Sequence, residues 1–470
     1  MDDREMAALE RAIGTLWDQA REFGLDPFPV HFEVVPAAIL YEFGAYLLPG
    51  RFQHWTHGKA YWLMKTQYDY GLSKIYELVI NSDPCYAFLL ETNSLLQNKF
   101  VVAHVFGHSD FFKHNLWFQN TDRQILDVVS EHARRIRTYG QEEGDREVEA
   151  FLDAALSLSD HVDPYPRREP PASRRREEGR GRAGGGPSPY ADLFPPEPEE
   201  APPRAAGQGP MPGRDRWPGT GRGGGWEPAR VPPEPERDLL LFLLEHADHL
   251  EEWQRDILAI VRGESLYFYP QMMTKIMNEG WATFWHSRIL RAAGLSDEEF
   301  TEFARLHAAV TTPGGTRINP YHVGLRIWED IEERYGRERL FEVRELENDA
   351  SFLRLYLTEE LCKELDLFLF QMEGEEWKVT SKDWERVRDA LVDNLTTFGR
   401  PVIVVEDGDW RGRRELYLRH CYDGRPLDIP YAEKTLAYVE RIWGRPVHLE
   451  TVVQGKPVVL TCAEGKVRRG

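Results

Sequence analysis

The chain has 470 residues, of which 41% are hydrophobic and 12% aromatic, so it has enough apolar material for two or three packed domains. A formal net charge of −20 argues against nucleic acid as a partner, because phosphate binding requires a basic face. No run approaches the ~18 apolar residues of a membrane span, and the cysteines are scattered without a C-x-x-C pair. With an N-terminus unlike a signal peptide, these features predict a cytoplasmic protein with reduced thiols and no membrane span.

A change of composition divides the chain. Residues 165–236 are dense in Pro, Gly and Arg, and such a segment cannot bury enough apolar surface to offset the entropy lost on ordering. We therefore predict a disordered linker there. It separates an N-terminal part of the core, residues 1–164, from a helical second part, residues 237–395. Residues 396–470 are predicted to form a small α+β domain.

The part before the linker combines helices with one hairpin. Residues 74–80 and 85–90 are predicted to be strands, and the turn residues at 81–84 between them predict a β-hairpin. Thr92-Asn-Ser94 then offers N-caps for a helix. Helical patterns cover residues 4–22, 53–70, 95–112 and 121–139. A short sheet followed by the helix at 95–112 resembles the layout of zinc peptidases of the zincin type, although a strand followed by a helix is common in many folds.

The part after the linker is mostly helical. Helical patterns cover residues 239–262, 272–291, 296–312, 321–335 and 358–371. From about residue 397 the pattern changes to strands with one helix among them. The strands are predicted at residues 401–406, 415–420 and 457–461, and the helix at 430–442. The whole chain is thus predicted to be α+β and predominantly helical.

Two histidines four residues apart lie in the predicted helix 95–112. His104 and His108 share a helical face, because four steps of about 100° return a side chain to within about 40°. This spacing lets one helix supply two imidazoles to a tetrahedral Zn²⁺ site, whereas the alternative is a pair of core or capping histidines. In the H-E-x-x-H pattern a glutamate follows the first histidine as general base, and here that residue is Val105. The sequence therefore predicts a metal site but not its chemistry.

A carboxylate for this site is available on the predicted helix 272–291. Glu279 lies among Trp281, Phe284 and Trp285, so we expect it to be at least partly buried, and buried carboxylates are paired or bound to metal. The alternative is a solvated helix carboxylate. His286 shares the face of Glu279, and two roles are open for it: a metal ligand, or a partner that orients Glu279.

With valine at position 105, a general base must come from elsewhere. Glu91, at the end of the second predicted strand, is the first candidate, and Glu77 and Glu264 are weaker ones. Tyr267, Tyr269 and His322 could polarise a carbonyl or stabilise an oxyanion. The alternative for each of these side chains is a structural role.

Six motifs carry a resemblance to a known family. They are residues 74–91 (KIYELVINSDPCYAFLLE), 98–113 (NKFVVAHVFGHSDFFK), 251–257 (EEWQRDI), 267–271 (YFYPQ), 277–286 (MNEGWATFWH) and 319–324 (NPYHVG). They resemble the SpoVR family, the stage V sporulation protein R-like proteins, over nearly the whole chain apart from the linker. The resemblance implies a part in forming the spore cortex, a modified peptidoglycan layer. It also implies a PrkA-type serine kinase or a cortex-assembly protein as a partner.

A shorter resemblance concerns mechanism. Residues 278–284 (NEGWATF) are similar to the Asn-Glu-Gly-Phe-Ala motif of gluzincin aminopeptidases, whose glutamate is the third zinc ligand. This implies a zincin-like core with Zn²⁺ on His104, His108 and Glu279. Two departures are Val105 in place of the catalytic glutamate and the long interval before Glu279.

Two functions are open on this basis. The first is a gluzincin-like metal-binding protein that acts on an amide bond of a peptide or muropeptide-like substrate. The second is a non-catalytic protein of peptidase fold that binds the kinase or a cortex-synthesis factor, which Val105 and the small C-terminal domain favour. A catalytic site needs a base within reach of metal-bound water, whereas a structural zinc site is closed by four protein ligands.

Overall fold

The computed structural model describes residues 3–69, 77–165, 230–313, 318–373 and 376–470. Within these ranges the chain is α+β and predominantly helical, as predicted. Most of the predicted linker, residues 166–229, and residues 74–76 of the first predicted strand lie outside the described residues.

Helices α1 to α6 lie before the predicted linker. They are α1 (Asp3–Glu22), α2 (Ala37–Tyr46), α3 (Trp55–Asp69), α4 (Leu95–His114), α5 (Ile125–Tyr139) and α6 (Asp145–Leu156). Each of the four helical patterns predicted there is matched by a helix with similar bounds, while α2 and α6 were not predicted. The N-cap residue of α4 is Ser94, whose side chain accepts from the backbone N–H of Gln97 in a capping box.

Helices α7 to α16 follow the linker. They are α7 (Leu239–His246), α8 (Glu252–Met273), α9 (Lys275–Ala292), α10 (Asp297–Val310), α11 (Pro320–Tyr335), α12 (Arg337–Leu346), α13 (Asp349–Tyr356), α14 (Glu359–Glu364), α15 (Trp384–Thr397) and α16 (Ile429–Trp443). Among the helices that the structure describes, none is long and apolar enough to cross a bilayer.

Two helical predictions differ from the structure. The pattern over residues 239–262 is two helices, because a capping box of Glu251 with Gln254 starts α8 anew. The pattern over residues 358–371 was wrong beyond Glu364. Asp366 adopts a left-handed φ of 50°, and the chain then enters a strand.

The first sheet has three strands and lies against α4. Its strands are β1 (Val30–Val35), β2 (Glu77–Ile80) and β3 (Cys85–Leu90), in the order β1-β3-β2. Strands β2 and β3 pair antiparallel, which confirms the predicted hairpin over the described residues. Strand β1, which was not predicted, pairs parallel to β3.

The two faces of this sheet pack into different clusters. Val79, Ala87 and Leu89 pack with α4 and α9 in the largest hydrophobic cluster. Leu78 and Phe88, on the other face, pack into a smaller cluster with α2 and α5. Because strand side chains alternate between faces, residue 77 lies on the face of Val79, toward α4.

The C-terminal part is an α+β unit, as predicted. A two-stranded sheet, β4 (Leu369–Glu373) with β5 (Glu376–Ser381), precedes it. The main sheet has the order β10-β9-β8-β7-β6, in which β7 and β8 pair parallel and α16 lies between them in the chain. Its strands are β6 (Ile403–Trp410), β7 (Glu415–His420), β8 (Val447–Val453), β9 (Lys456–Ala463) and β10 (Lys466–Arg469).

The end of the predicted linker is structured. Glu236 forms an antiparallel bridge with Val405 on β6, through backbone hydrogen bonds of 3.0 and 2.7 Å. The backbone N–H of Gly408 also donates to the carbonyl of Val231 at 2.6 Å. Residues 230–236 therefore belong to the folded part, because the edge of β6 satisfies their backbone groups.

Glycines let α4, α9 and α11 approach closely. A Cβ atom on Gly107 of α4 would lie 2.6 Å from Cα of Ala282 on α9. A Cβ atom on Gly280 of α9 would overlap the carbonyl carbon of Gly324 on α11. Only glycine allows these backbone contacts, so the side chains of the three helices are brought toward one another.

Two buried aspartates fix α9 in place. Asp349 accepts from two backbone N–H groups in the first turn of α9, at 2.8 Å each, and so caps that helix from α13. Asp110 of α4 accepts from the indole N–H of Trp281 at 3.0 Å and from Arg344 at 2.7 Å. The bond from Trp281 to Asp110 connects α9 to α4, between residues that are 171 positions apart in the chain.

We predict that Gly107→Ala destabilises the fold by ~1–3 kcal/mol, because the new methyl group must push α9 away from α4. Urea unfolding followed by circular dichroism measures the change. Gly14→Ala in α1 is the matched control, since a Cβ there meets nothing within 4 Å. That variant should be unchanged or more stable by up to ~1 kcal/mol. Equal stability of Gly107→Ala and wild type would contradict the packing argument.

Candidate metal centre

Three side chains from two helices converge in the core. The ring centroids of His104 and His108 on α4 are 4.5 Å apart, and Glu279 of α9 faces both rings. One potential ligand atom from each residue lies within 4.8 Å of the others. The histidines are 3% and 8% exposed, and the side chain of Glu279 is 17% exposed, so the cluster lies near the surface of the core.

The distances suit a shared metal ion better than hydrogen bonds. Oε2 of Glu279 lies 3.4 Å from Nε2 of His108 and 3.7 Å from Nε2 of His104, and this buried oxygen has no hydrogen-bond partner. Two ligands at about 2.0–2.1 Å from a tetrahedral zinc ion lie about 3.3 Å apart. Two imidazoles and one carboxylate are also the ligand set of zinc sites that keep a fourth position for water or substrate.

The ionisation states of two of the three ligands favour cation binding. Burial acts to raise the pKa of Glu279, but its interactions with the two histidines outweigh this and hold the pKa well below its usual range. Burial lowers the pKa of His104 to about 4. A carboxylate and a neutral imidazole are the forms that bind a metal. Burial acts to lower the pKa of His108, but the interactions of His108 with Glu279 outweigh burial and raise that pKa, so a metal ion must displace a proton from this ring.

Asn278 orients His108. Its Oδ1 atom lies 2.9 Å from Nδ1 of His108. Because an amide oxygen only accepts, Nδ1 carries the proton and the lone pair of Nε2 is directed at Glu279. Phe112 stacks on the same imidazole, with ring centroids 6.0 Å apart and an interplanar angle of 12°.

His286 lies on the far side of His104 from Glu279. Its Nδ1 is 3.0 Å from Nδ1 of His104, and its Nε2 is 3.0 Å from Nδ1 of His307 on α10. Both ring nitrogens of His286 are therefore engaged with other histidines. The hydrogen bonds described for His286 are with His104 and His307, and they do not include Glu279.

Glu77 supplies a second carboxyl group near the ligands. It is the first residue of β2, on the sheet face that packs against α4. Burial raises its pKa to about 7; the charge of His108 acts to lower this pKa and the charge of Glu279 to raise it. Glu77 is thus a carboxyl group whose pKa responds to the charges of two of the ligands, His108 and Glu279.

Tyr321 approaches from α11. Its ring stacks on His104, with centroids 5.9 Å apart and an interplanar angle of 22°. Burial, followed by the charges of Glu279 and Glu77, raises the pKa of its hydroxyl far above the usual value. Tyr321 therefore keeps its proton at neutral pH.

The three catalytic candidates predicted from the sequence contact residues other than the candidate ligands. Glu91 is exposed in the turn after β3. The hydroxyl of Tyr267 donates to the backbone carbonyl of Asn81 at 3.1 Å. Burial and the charge of Arg326 lower the pKa of His322. The contacts that the structure describes for these residues do not include the ligands.

Three residues near the ligands had only weak signals of a functional role in the sequence. Tyr321 directly precedes His322, in a motif already singled out, but the two side chains point about 100° apart on the helix. Asn278 directly precedes Glu279. Glu77 was a weaker candidate, and only the pairing of β2 with β3 shows which face it occupies.

Two histidines on one helix, a carboxylate on a second helix and a carboxyl group at a strand edge define a candidate mononuclear metal centre in a helical α+β protein. The chain belongs to the SpoVR family. Residues 3–400 match the family described as SpoVR like protein, and residues 401–454 match the SpoVR-like C-terminal domain. The resemblance found in the sequence motifs is confirmed, and membership associates the chain with sporulation.

One relative is similar over most of the chain. It is the "Uncharacterized protein YcgB" of Escherichia coli (strain K12), which is 31% identical over 480 residues. The match covers 92% of this chain and 89% of that protein. No solved structure matches the chain.

We predict about one zinc ion per chain in protein purified without added metal, and none in the double variant His104→Ala/His108→Ala, because two of three ligands are then missing. Mass spectrometry of the metal content measures this. The matched control is His114→Ala at the end of the same helix, where the side chain pairs with Asp26. A folded double variant that keeps its zinc would rule out the site.

Proposed function

We propose that this protein is a zinc-dependent amide hydrolase that acts in the cytoplasm on a peptide or muropeptide-like substrate during spore cortex formation. The observation that carries the proposal is the convergence of His104, His108 and the unpartnered Oε2 of Glu279. A bound Zn²⁺ ion would polarise the substrate carbonyl and make water a stronger nucleophile.

Glu77 takes the place of the glutamate that the H-E-x-x-H pattern would put at position 105. Val105 is fully buried in the apolar core and cannot accept a proton. The charges of His108 and Glu279 act on the pKa of Glu77, and a carboxyl group with a pKa of about 7 can take a proton from water and return it to the leaving amine. The general base thus comes from the strand and not from the metal-binding helix.

Tyr321 is the group that stabilises the developing negative charge. Its raised pKa keeps the hydroxyl protonated, so it can donate a hydrogen bond to an oxyanion. Its stacking on His104 fixes the ring beside the ligands. Neither Tyr267 nor His322 is needed for this step.

A zincin-like core is part of the same proposal. It is supported by the order of the chain, in which β3 leads directly into the histidine helix α4, and by the position of β2 at the edge of the sheet. The carboxylate ligand then follows on a second helix, α9.

The alternative is a non-catalytic protein that binds a PrkA-type kinase or a cortex-assembly protein. Val105 favours this function, because the residue that would be catalytic in the H-E-x-x-H pattern is replaced by an apolar one. The alternative expects no amide cleavage by the zinc-loaded protein.

We predict that Glu77→Gln keeps its zinc but cleaves at least about 100-fold more slowly, because an amide cannot accept the proton. Zinc-loaded protein is incubated with muropeptides that carry stem peptides, and new amines are detected by mass spectrometry. Glu33→Gln, an exposed position on the same sheet, is the matched control.

If the wild type cleaves and the Glu77→Gln variant is equally active, Glu77 is not the general base. Glu91→Gln is then the next variant to measure. Stoichiometric zinc without cleavage of any muropeptide by the wild type would favour the binding protein.

A further inference from the structure

Three histidines form a continuous hydrogen-bonded chain that starts at the candidate ligand His104. The nitrogen-to-nitrogen distances from His104 to His286 and from His286 to His307 are both 3.0 Å. His286 is completely buried, and Phe100 packs on its ring with centroids 4.2 Å apart. His307 is half-buried on α10. The chain therefore leads from the ligand cluster toward the surface.

Counting protons limits this chain to two arrangements. A neutral imidazole has one N–H, so His286 donates through one nitrogen and accepts through the other. The hydrogen bonds thus run either from His104 outward to His307 or from His307 inward to His104. In the inward arrangement His104 carries its proton on Nε2, the atom that faces Glu279. In the outward arrangement that atom has a free lone pair.

A metal ion accepts only the outward arrangement. When Nε2 of His104 binds the ion, its proton must be on Nδ1, which then donates to His286. His286 in turn donates from Nε2, and Nδ1 of His307 accepts. The metal-binding tautomer of His104 therefore requires that Nδ1 of His307 on α10 accept a hydrogen bond.

We propose that His286 and His307 are positioning residues that hold His104 in its metal-binding tautomer and link helix α10 to the metal centre. The inference rests on the zinc site proposed above. His307 determines the direction of the hydrogen bonds, because its Nδ1 is the acceptor for the N–H of His286. Without it, the N–H of His286 is left without a partner in the core, which favours the reversed arrangement.

Helix α10 is held at a fixed position for this role. Lys99 of α4 forms an ion pair of 2.6 Å with Glu299 in the first turn of α10. Phe303, one turn before His307, is buried, and its ring centroid lies 6.5 Å from that of His286. The acceptor on His307 is thus placed by packing that does not involve the ligands.

The test is the zinc dissociation constant of the full chain, measured by competition with a chromophoric chelator. We expect His307→Leu to bind zinc about tenfold more weakly or worse, and His307→Asn to bind within about threefold of wild type, because Oδ1 of asparagine can accept in place of Nδ1. Arg305→Leu, at an exposed position of α10, is the matched control and should bind like wild type. The visible spectrum of the Co²⁺-loaded protein should shift in His307→Leu and be restored in His307→Asn.

Circular dichroism establishes that the variants are folded. If His307→Leu does not fold, His307→Thr replaces it, since its hydroxyl is too short to reach His286. Wild-type zinc affinity and an unchanged Co²⁺ spectrum in a folded His307→Leu variant would overturn the inference and leave the zinc site intact. A wild-type chain that binds no zinc would overturn both, and this outcome is distinct because it appears without any substitution.

Discussion

Close contact between three helix backbones is the constraint on which the candidate site depends. Gly107 meets Ala282 where α4 crosses α9, and Gly280 meets Gly324 where α9 crosses α11. At these distances even one methyl group would separate the helices, and the separation would act on every side chain they carry. The site can have short, buried contacts because the backbones that bear it are in van der Waals contact. Stability and ligand geometry are therefore controlled by the same glycines.

The second general feature is a polar cluster inside an apolar core. Ionisable groups are costly to bury, and the cost is offset only when they neutralise or hydrogen-bond one another. Here the carboxylate of Glu279 is balanced by two imidazoles, and each imidazole has its other nitrogen bonded, one to Asn278 and one to His286. Oε2 of Glu279 is buried without a hydrogen-bond partner, and it lies 3.4 and 3.7 Å from the Nε2 atoms of His108 and His104. A cluster whose unpartnered atoms all face one point is suited to receive a cation there.

Local signals in the sequence were sufficient for part of this arrangement. The Ser94 cap and the spacing of His104 and His108 depend on one helix, and the helix over residues 95–112 was predicted within two residues of its end. The α+β class and the hairpin before α4 also follow from local pattern. The general base could not be predicted from local pattern, because the position of Glu77 depends on which face of the sheet meets α4. Tyr321 and His307 are more than 200 positions from His104, and only tertiary packing brings them to it.

The separation of the ligands along the chain has a consequence for synthesis on the ribosome. His108 and its partner Asn278 are 170 positions apart, with the predicted linker between them. Helix α4 is buried along most of its length, yet α9, which covers one side of it, is translated much later. Until the second part is translated, the N-terminal part therefore exposes an apolar surface and two imidazoles that lack their partners. Folding of this core is a late, long-range event, and the nascent chain is exposed to misassembly during that interval.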